Sequence, residues 1–150
     1  MLNIVLVEPE IPNNTGNIGR LCVGTESRLH LIHPFGFVIN DKNLKRSGLD
    51  YWGHLDVTEY QNMSEWMSQI PDKPRVFLMS SHASISIYDA KFQDGDWLVF
   101  GKESVGLSAE VMALFENHLT IPMSTLIRSY NIANSVAFVV GEAKRQIGLK

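Results

Sequence analysis

Short apolar runs rich in β-branched residues alternate along this chain with stretches of helical spacing, and few folds accommodate that alternation. Leu2 to Val7, Leu29 to His33, Leu55 to Tyr60, Val76 to Met79, Trp97 to Phe100 and Leu119 to Met123 read as strands. Between the first two lies Thr15 to Glu26, where Ile18, Leu21 and Cys22 recur on one helical face. Asp41 heads a short helix over Lys42 to Ser47, ended by Gly48. Ser64 heads another that runs to Ile70 and is closed by Pro71, Ser108 heads one reaching about Asn117, and a helix from about Asn131 to Ile147 closes the chain. Parallel strands need such crossovers, so the expected class is α/β: a largely parallel sheet flanked by helices. No repeat, low-complexity stretch or linker divides residues 1–150, which read as one domain.

Composition supports a packed core. The 150 residues are 45% hydrophobic and 19% charged, far from a disordered chain. No unbroken apolar stretch, Val136 to Val140 included, is long enough to span a bilayer. Met-Leu-Asn-Ile-Val-Leu-Val has no positive charge ahead of its apolar run, unlike a signal peptide. The lone cysteine, Cys22, allows no internal disulfide; a cytoplasmic location is expected. The net charge of −3 is unevenly spread. Residues 51–123 hold four basic against ten acidic side chains, whereas 124–150 hold four basic (Arg128, Lys144, Arg145, Lys150) against Glu142 alone. A second basic cluster, Lys42, Lys45 and Arg46, lies in the first third. Two such patches suit an anionic partner if folding or dimerisation sets them on one face; otherwise they are solvated lysines and arginines.

The five histidines show neither a His-Glu-x-x-His pattern nor a cysteine pair nearby, so no metal site is expected. The run Asn14-Thr15-Gly16-Asn17-Ile18-Gly19-Arg20 lacks one glycine of the dinucleotide fingerprint, and no Walker A loop exists. Gly16 and Gly19 then serve a tight turn and close helix packing. Three segments say more together: Asn13 to Arg20, Phe100 to Leu107, and Ile121-Pro122-Met123 followed by Arg128 to Ser135. Loops leaving the carboxyl ends of parallel strands form the ligand crevice of an α/β sheet. Taken singly, each of these segments is also ordinary turn chemistry.

In that order, the segments resemble the SPOUT class of S-adenosylmethionine-dependent RNA methyltransferases, in its ribose 2′-O-methylating branch. Carrying the likeness are Leu2 to Arg20, His33-Pro34-Phe35-Gly36-Phe37, Lys45 to Trp52, Phe100-Gly101-x-Glu103-x-x-Gly106-Leu107 and Arg128-Ser129-x-Asn131-x-x-Asn134-Ser135. Within the branch it is nearest to the minimal enzymes that methylate the wobble ribose (cytidine-34 or modified uridine-34) of tRNA, leucine tRNA above all. The resemblance implies a deep trefoil knot at the carboxyl end, S-adenosyl-L-methionine as cofactor, a homodimer, and the tRNA anticodon stem-loop as partner. It implies that Met79, Gly101, Ile121 and Ser129 contact the cofactor, with Glu103 and Asn134 shaping that pocket, and that Arg20 reaches the reacting ribose. Lys42, Lys45, Arg46, Arg128, Lys144 and Arg145 would meet RNA phosphates. Two positions depart from the pattern: Gly141 stands where related enzymes often place a tyrosine, and His82-Ala83 replaces a Lys-Gly pair.

Structural roles stand beside each of these. Arg20 could be a helix-surface arginine, Glu103 a loop acceptor, Asn134 a partner for local backbone, and Ser129 and Asn131 caps of the last helix. Tyr51 and Trp52 suit core packing or stacking on a base. Gly141 suits close helix packing. A methyltransferase acting on another tRNA position or on rRNA, a catalytically silent RNA-binding module, and a nicotinamide-dependent oxidoreductase are the competing functions.

Overall fold

The computed structural model describes residues 1–39, 50–71 and 73–148. Seven strands form one sheet: β1 (Asn3–Val7), β2 (Arg28–Ile32), β3 (Val57–Tyr60), β4 (Val76–Met79), β5 (Ile85–Ser86), β6 (Trp97–Phe100) and β7 (Asn117–Thr120). Their order is β3-β2-β1-β6-β4-β7-β5, and every registered pair is parallel. β1 is buried along its whole length because it is hydrogen-bonded on both sides and covered on both faces. Its alternation divides the core. Ile4 and Leu6 face the cluster that includes Ile18 and Cys22 of α1 (Pro12–Gly24) and Val136, Val139 and Val140 of α4 (Ile132–Ile147). Val5 and Val7 face a second cluster with Trp66 of α2 (Met63–Met67) and Phe115, just beyond α3 (Ala109–Met112). A strand buried on both faces reads as an unbroken apolar run, which is how β1, β4 and β6 appear in the sequence.

Several boundaries differ from the expected ones. α1 begins at Pro12 rather than Thr15, because proline at the first helical position loses no needed amide and has its φ already set. The Asn-rich segment is therefore helix and not loop. α2 is headed by Asn62, whose side chain accepts the Glu65 amide at 2.8 Å while the Glu65 carboxylate accepts that of Gln61 at 2.6 Å; Ser64 is no cap, and the helix ends at Met67. Ser108 does cap α3, but His118 Nε2 lies 2.9 and 2.8 Å from the Met112 and Phe115 carbonyls, and the chain turns into β7 two residues early. Pro122 has no amide for the ladder, so the last strand stops at Thr120 instead of Met123. Residues Asp50–His54 form a 3-10 turn ahead of β3. The expected helix over Lys42 to Ser47 lies outside the described residues, and β5 was not expected at all.

His30 on β2 shows how polar groups are handled inside the sheet. Asn3 Nδ2 donates to the Gly95 carbonyl (3.1 Å), so Asn3 Oδ1 accepts from His30 Nε2 (3.0 Å) and Nδ1 accepts the Tyr60 hydroxyl (2.9 Å). Burial pushes the imidazole down to about 4 from its ordinary 6.5. Below 6.5 the unfolded chain takes up a proton that the folded ring refuses, so this stability is present above pH 6.5 and is lost as pH falls toward 4. Thermal unfolding of the wild type should therefore lose up to ~1.4 kcal/mol per pH unit more than His30→Gln across that window. Parallel pH profiles for the two proteins would contradict this.

Candidate active site

The carboxyl ends of β4, β6 and β7 lie side by side in the sheet order, with the first turn of α1 across from them. Together they enclose a cleft of about 500 Å³. Met79 closes β4, the glycine loop Gly101 to Leu107 leaves β6, Ile121 follows β7, and Ser129 precedes α4; all line the cleft. Glu103 lines it too, so five of the six residues expected at the cofactor come together.

Gly101 is where the loop after β6 folds back on itself. A Cβ there would sit 2.2 Å from the Gly106 carbonyl carbon and 2.3 Å from the Leu107 amide nitrogen, so only glycine fits. The Lys102 and Gly106 amides and carbonyls pair across the same loop (3.3 and 2.9 Å), and Gly106 has φ +71°, a backbone conformation that favours glycine. The loop is thereby held tight against its own start, and residues 101–107 all line the cleft.

Two carboxylates clasp this loop to the start of α1. Glu103 accepts the amides of Glu10 (2.8 Å) and Ile11 (3.3 Å), and Glu10 accepts the Ser104 amide (2.9 Å) and hydroxyl (2.7 Å). Those Ser104 hydrogen bonds hold the Glu10 carboxyl below the usual carboxylate range. Glu103 is therefore more than a loop acceptor: it ties one wall of the cleft to the helix that carries Arg20.

Arg20 does not line the cleft. It lies in an adjoining, more open groove of about 830 Å³ between α1 and α4, with Asn17 on its own helix and Asn134 opposite. Asn134, expected at the cofactor, is among the residues of this groove and not of the cleft, because it points from the first turn of α4 toward α1. Asn14 and Asn131 line both cavities and are joined by a 3.2 Å hydrogen bond, Asn131 Nδ2 donating to Asn14 Oδ1. Asn131 also caps α4, accepting the Ala133 (2.8 Å) and Asn134 (3.3 Å) amides. The cap was among the expected readings of Asn131; what sequence reasoning missed is Asn14 and the pairing of the two asparagines between the cavities. Asn14 sits within a quoted motif, but between Pro12 and Gly16 it has the appearance of turn chemistry.

The basic residues separate. Arg128 lines the cleft. Arg145 is about 20 Å from the cleft end of α4 at 1.5 Å per residue. Its Nε and one terminal nitrogen both donate to Glu142 at 2.9 Å, and these bonds hold that carboxyl down to about 2. A fork already spent on a carboxylate is a poor phosphate ligand, so the expected role of Arg145 shifts to holding the end of α4. Lys144 beside it is half-buried. Lys42, Lys45 and Arg46 lie outside the described residues. Trp52 packs against the core with Leu55, and a Cβ at Gly141 would meet nothing within 4 Å, so that glycine does not serve close packing among the described residues of the chain itself. Among the described residues no three His, Cys, Asp or Glu side chains gather as metal ligands, and no helix is long and apolar enough to cross a membrane.

Comparison with known proteins places this arrangement. The model of the SpoU rRNA methylase family matches residues 1–141. A tRNA (cytidine(34)-2′-O)-methyltransferase of Polaromonas sp. is 47% identical over 99% of this chain and 92% of its own length. The protein of that name from Escherichia coli K12 is 44% identical over 99% and 95%. A solved structure concerned with 2-OH methylation of C/U34 on tRNA superposes with a TM-score of 0.91 at 44% identity, covering 97% of this chain and 90% of the other.

Proposed function

Because this chain belongs to the SpoU rRNA methylase family, we propose that it transfers a methyl group from S-adenosylmethionine to a tRNA ribose. The acceptor is the 2′-hydroxyl of nucleotide 34, cytidine or a modified uridine, in the anticodon stem-loop, with leucine tRNA among the substrates. The tRNA relatives matched along nearly their whole length support this reading. The observation that carries it is geometric: a cleft and an arginine-bearing groove share one wall, the Asn14–Asn131 pair, so donor and acceptor can be held side by side.

The cleft fits the cofactor. Its volume of about 500 Å³ suits a nucleoside-sized ligand, and the bare Gly101 lets the loop after β6 fold tightly on itself to form one wall of it. Met79, Gly101, Ile121 and Ser129 would hold it, with Glu103 fixing the loop behind them. When bound, S-adenosylmethionine supplies a methyl group already activated by its sulfonium. The chain's own work is then to place the hydroxyl in line and to ease removal of its proton. Arg20 is exposed and has no carboxylate partner among the described residues, so its charge is available to the ribose and its phosphate. An arginine stays protonated, so it acts by holding the phosphate and lowering the hydroxyl's pKa.

The reading brings with it a homodimer, cytoplasmic tRNA as partner, and the carboxyl-terminal trefoil knot that the resemblance implies. The knot suits a chain that returns from β5 at the sheet edge to lay β6 between β1 and β4. A dimer is suited by the outward stripe Asn134, Ala137, Phe138 and Gly141 on α4, which leaves the Phe138 ring 43% exposed beside the groove. Lys42, Lys45, Arg46, Arg128 and Lys144 are the proposed phosphate contacts.

The test is methyl transfer to bulk tRNA from a strain lacking this protein, followed by nucleoside mapping. One alkali-stable methyl at nucleotide 34 is expected. Methyl groups on a base, on rRNA, or at another tRNA position would overturn the assignment.

A further inference from the structure

We propose that Tyr51 is a positioning residue for this reaction, its ring and hydroxyl setting the Arg20 guanidinium at the wall of the acceptor groove. The inference rests on the role given to Arg20 above and adds a residue that lines neither cavity.

The 3-10 turn that carries Tyr51 lies against α1 at three consecutive points of one helical face. The Tyr51 hydroxyl donates to the Gly16 carbonyl at 2.6 Å. In an α-helix that carbonyl is also the acceptor of the Arg20 amide, so the tyrosine is anchored on the turn that fixes the arginine backbone. At Gly19 a Cβ would lie 2.7 Å from Trp52 Cζ3, so the neighbouring indole lies flush on the helix and sets how close the turn comes. At Arg20 the guanidinium carbon stands 6.0 Å from the centroid of the Tyr51 ring. A guanidinium over an aromatic face is held by charge and by its flat shape, and a long side chain so held loses fewer rotamers when substrate arrives. Tyr51 is itself half-buried, and its hydroxyl is tied to Gly16, so the ring is a fixed platform. The Gly16 carbonyl, the bare Gly19 and the aromatics at 51 and 52 thus form one device whose product is the direction of Arg20.

The test compares wild type, Tyr51→Phe and Tyr51→Leu for kcat, KM for tRNA and cofactor affinity. The Nε–Hε NMR signal of Arg20 is followed in each, assigned by its loss in Arg20→Lys. Tyr51→Leu should lower kcat about ten- to hundredfold, as misplacement of a catalytic group does, with cofactor affinity unchanged. Tyr51→Phe, which keeps the ring, should recover most of that loss. The Arg20 signal should be displaced by the ring current in wild type and Tyr51→Phe and should return to the position of a solvated arginine in Tyr51→Leu. A Tyr51→Leu protein with unaltered kcat, or one whose cofactor affinity falls in step with it, overturns the proposal. The wild-type spectrum needs no Tyr51 variant: an Arg20 signal already at the solvated position overturns it as well. If Arg20→Lys and Arg20→Ala keep full kcat, the role of Arg20 has failed, while the displaced signal still reports whether Tyr51 directs it.

Discussion

Arg20→Ala should bind S-adenosylmethionine as the wild type does and lose methyl transfer by about a hundred- to a thousandfold, the range seen when one charge-stabilising group is removed. The expectation follows from where the side chain lies. Arg20 is in the α1–α4 groove and absent from the cleft, so its loss leaves the cofactor loops untouched. What disappears is the positive charge that the proposed function sets beside the reacting hydroxyl. Arg20→Lys should also be poor, since an ammonium restores charge without the planar fork or the fit to the Tyr51 ring. Calorimetry for binding and single-turnover transfer for chemistry separate the two quantities. Equal losses in both would place Arg20 in the cofactor site and undo the division into two cavities.

Gly101→Ala should show the opposite pattern at its root: cofactor affinity lost first, and activity with it. The added methyl group would meet backbone, the Gly106 carbonyl carbon at 2.2 Å and the Leu107 amide at 2.3 Å, and backbone cannot rotate aside. Overpacking of this kind costs typically about 1–3 kcal/mol. The loop from 102 to 107 is on the surface, so it should give way before the sheet does, taking that wall of the cleft and the Glu103 clasp with it. Calorimetric affinity should fall by about one to two orders of magnitude, at 1.4 kcal/mol per tenfold, with circular dichroism close to wild type. Wild-type affinity in Gly101→Ala would show that the loop does not cradle the cofactor.

Much of the sheet was legible because parallel strands buried on both faces must be continuous apolar runs: Ile-Val-Leu-Val, Val-Phe-Leu-Met and Trp-Leu-Val-Phe admit few other readings. β5 was not, since Ile85–Ser86 is too short for periodicity and is held by pairing with β7. The beginning of α1 was misread because Pro-Asn-Asn suits a turn as well as a helix start, and here Pro12 stands at the first helical position. Of the site, Met79, Gly101, Glu103, Ile121 and Ser129 were reachable through motif resemblance, and the structure brings them to one cleft. Asn134 went astray because neighbouring residues on a helix face different cavities: Ser135 lines the cleft while Asn134 lines the groove. The pairing of Arg145 with Glu142 was open to reading, since the two stand three apart where residues on a helix are neighbours, but in the sequence both were counted only as charges. The Asn14–Asn131 partition spans 117 positions, and no local pattern encodes it.

The central claim is that the methyl group goes to the ribose oxygen of nucleotide 34. It is tested most directly with two anticodon stem-loops that differ only in the 2′ position of that nucleotide, one with the hydroxyl and one with hydrogen. With the hydroxyl, label from S-adenosylmethionine should enter the RNA at close to one methyl per stem-loop under single-turnover conditions; the 2′-deoxy stem-loop should accept none while still competing for binding. Label entering the deoxy stem-loop at an undiminished rate would show that the acceptor is a base or another ribose, and would contradict the account.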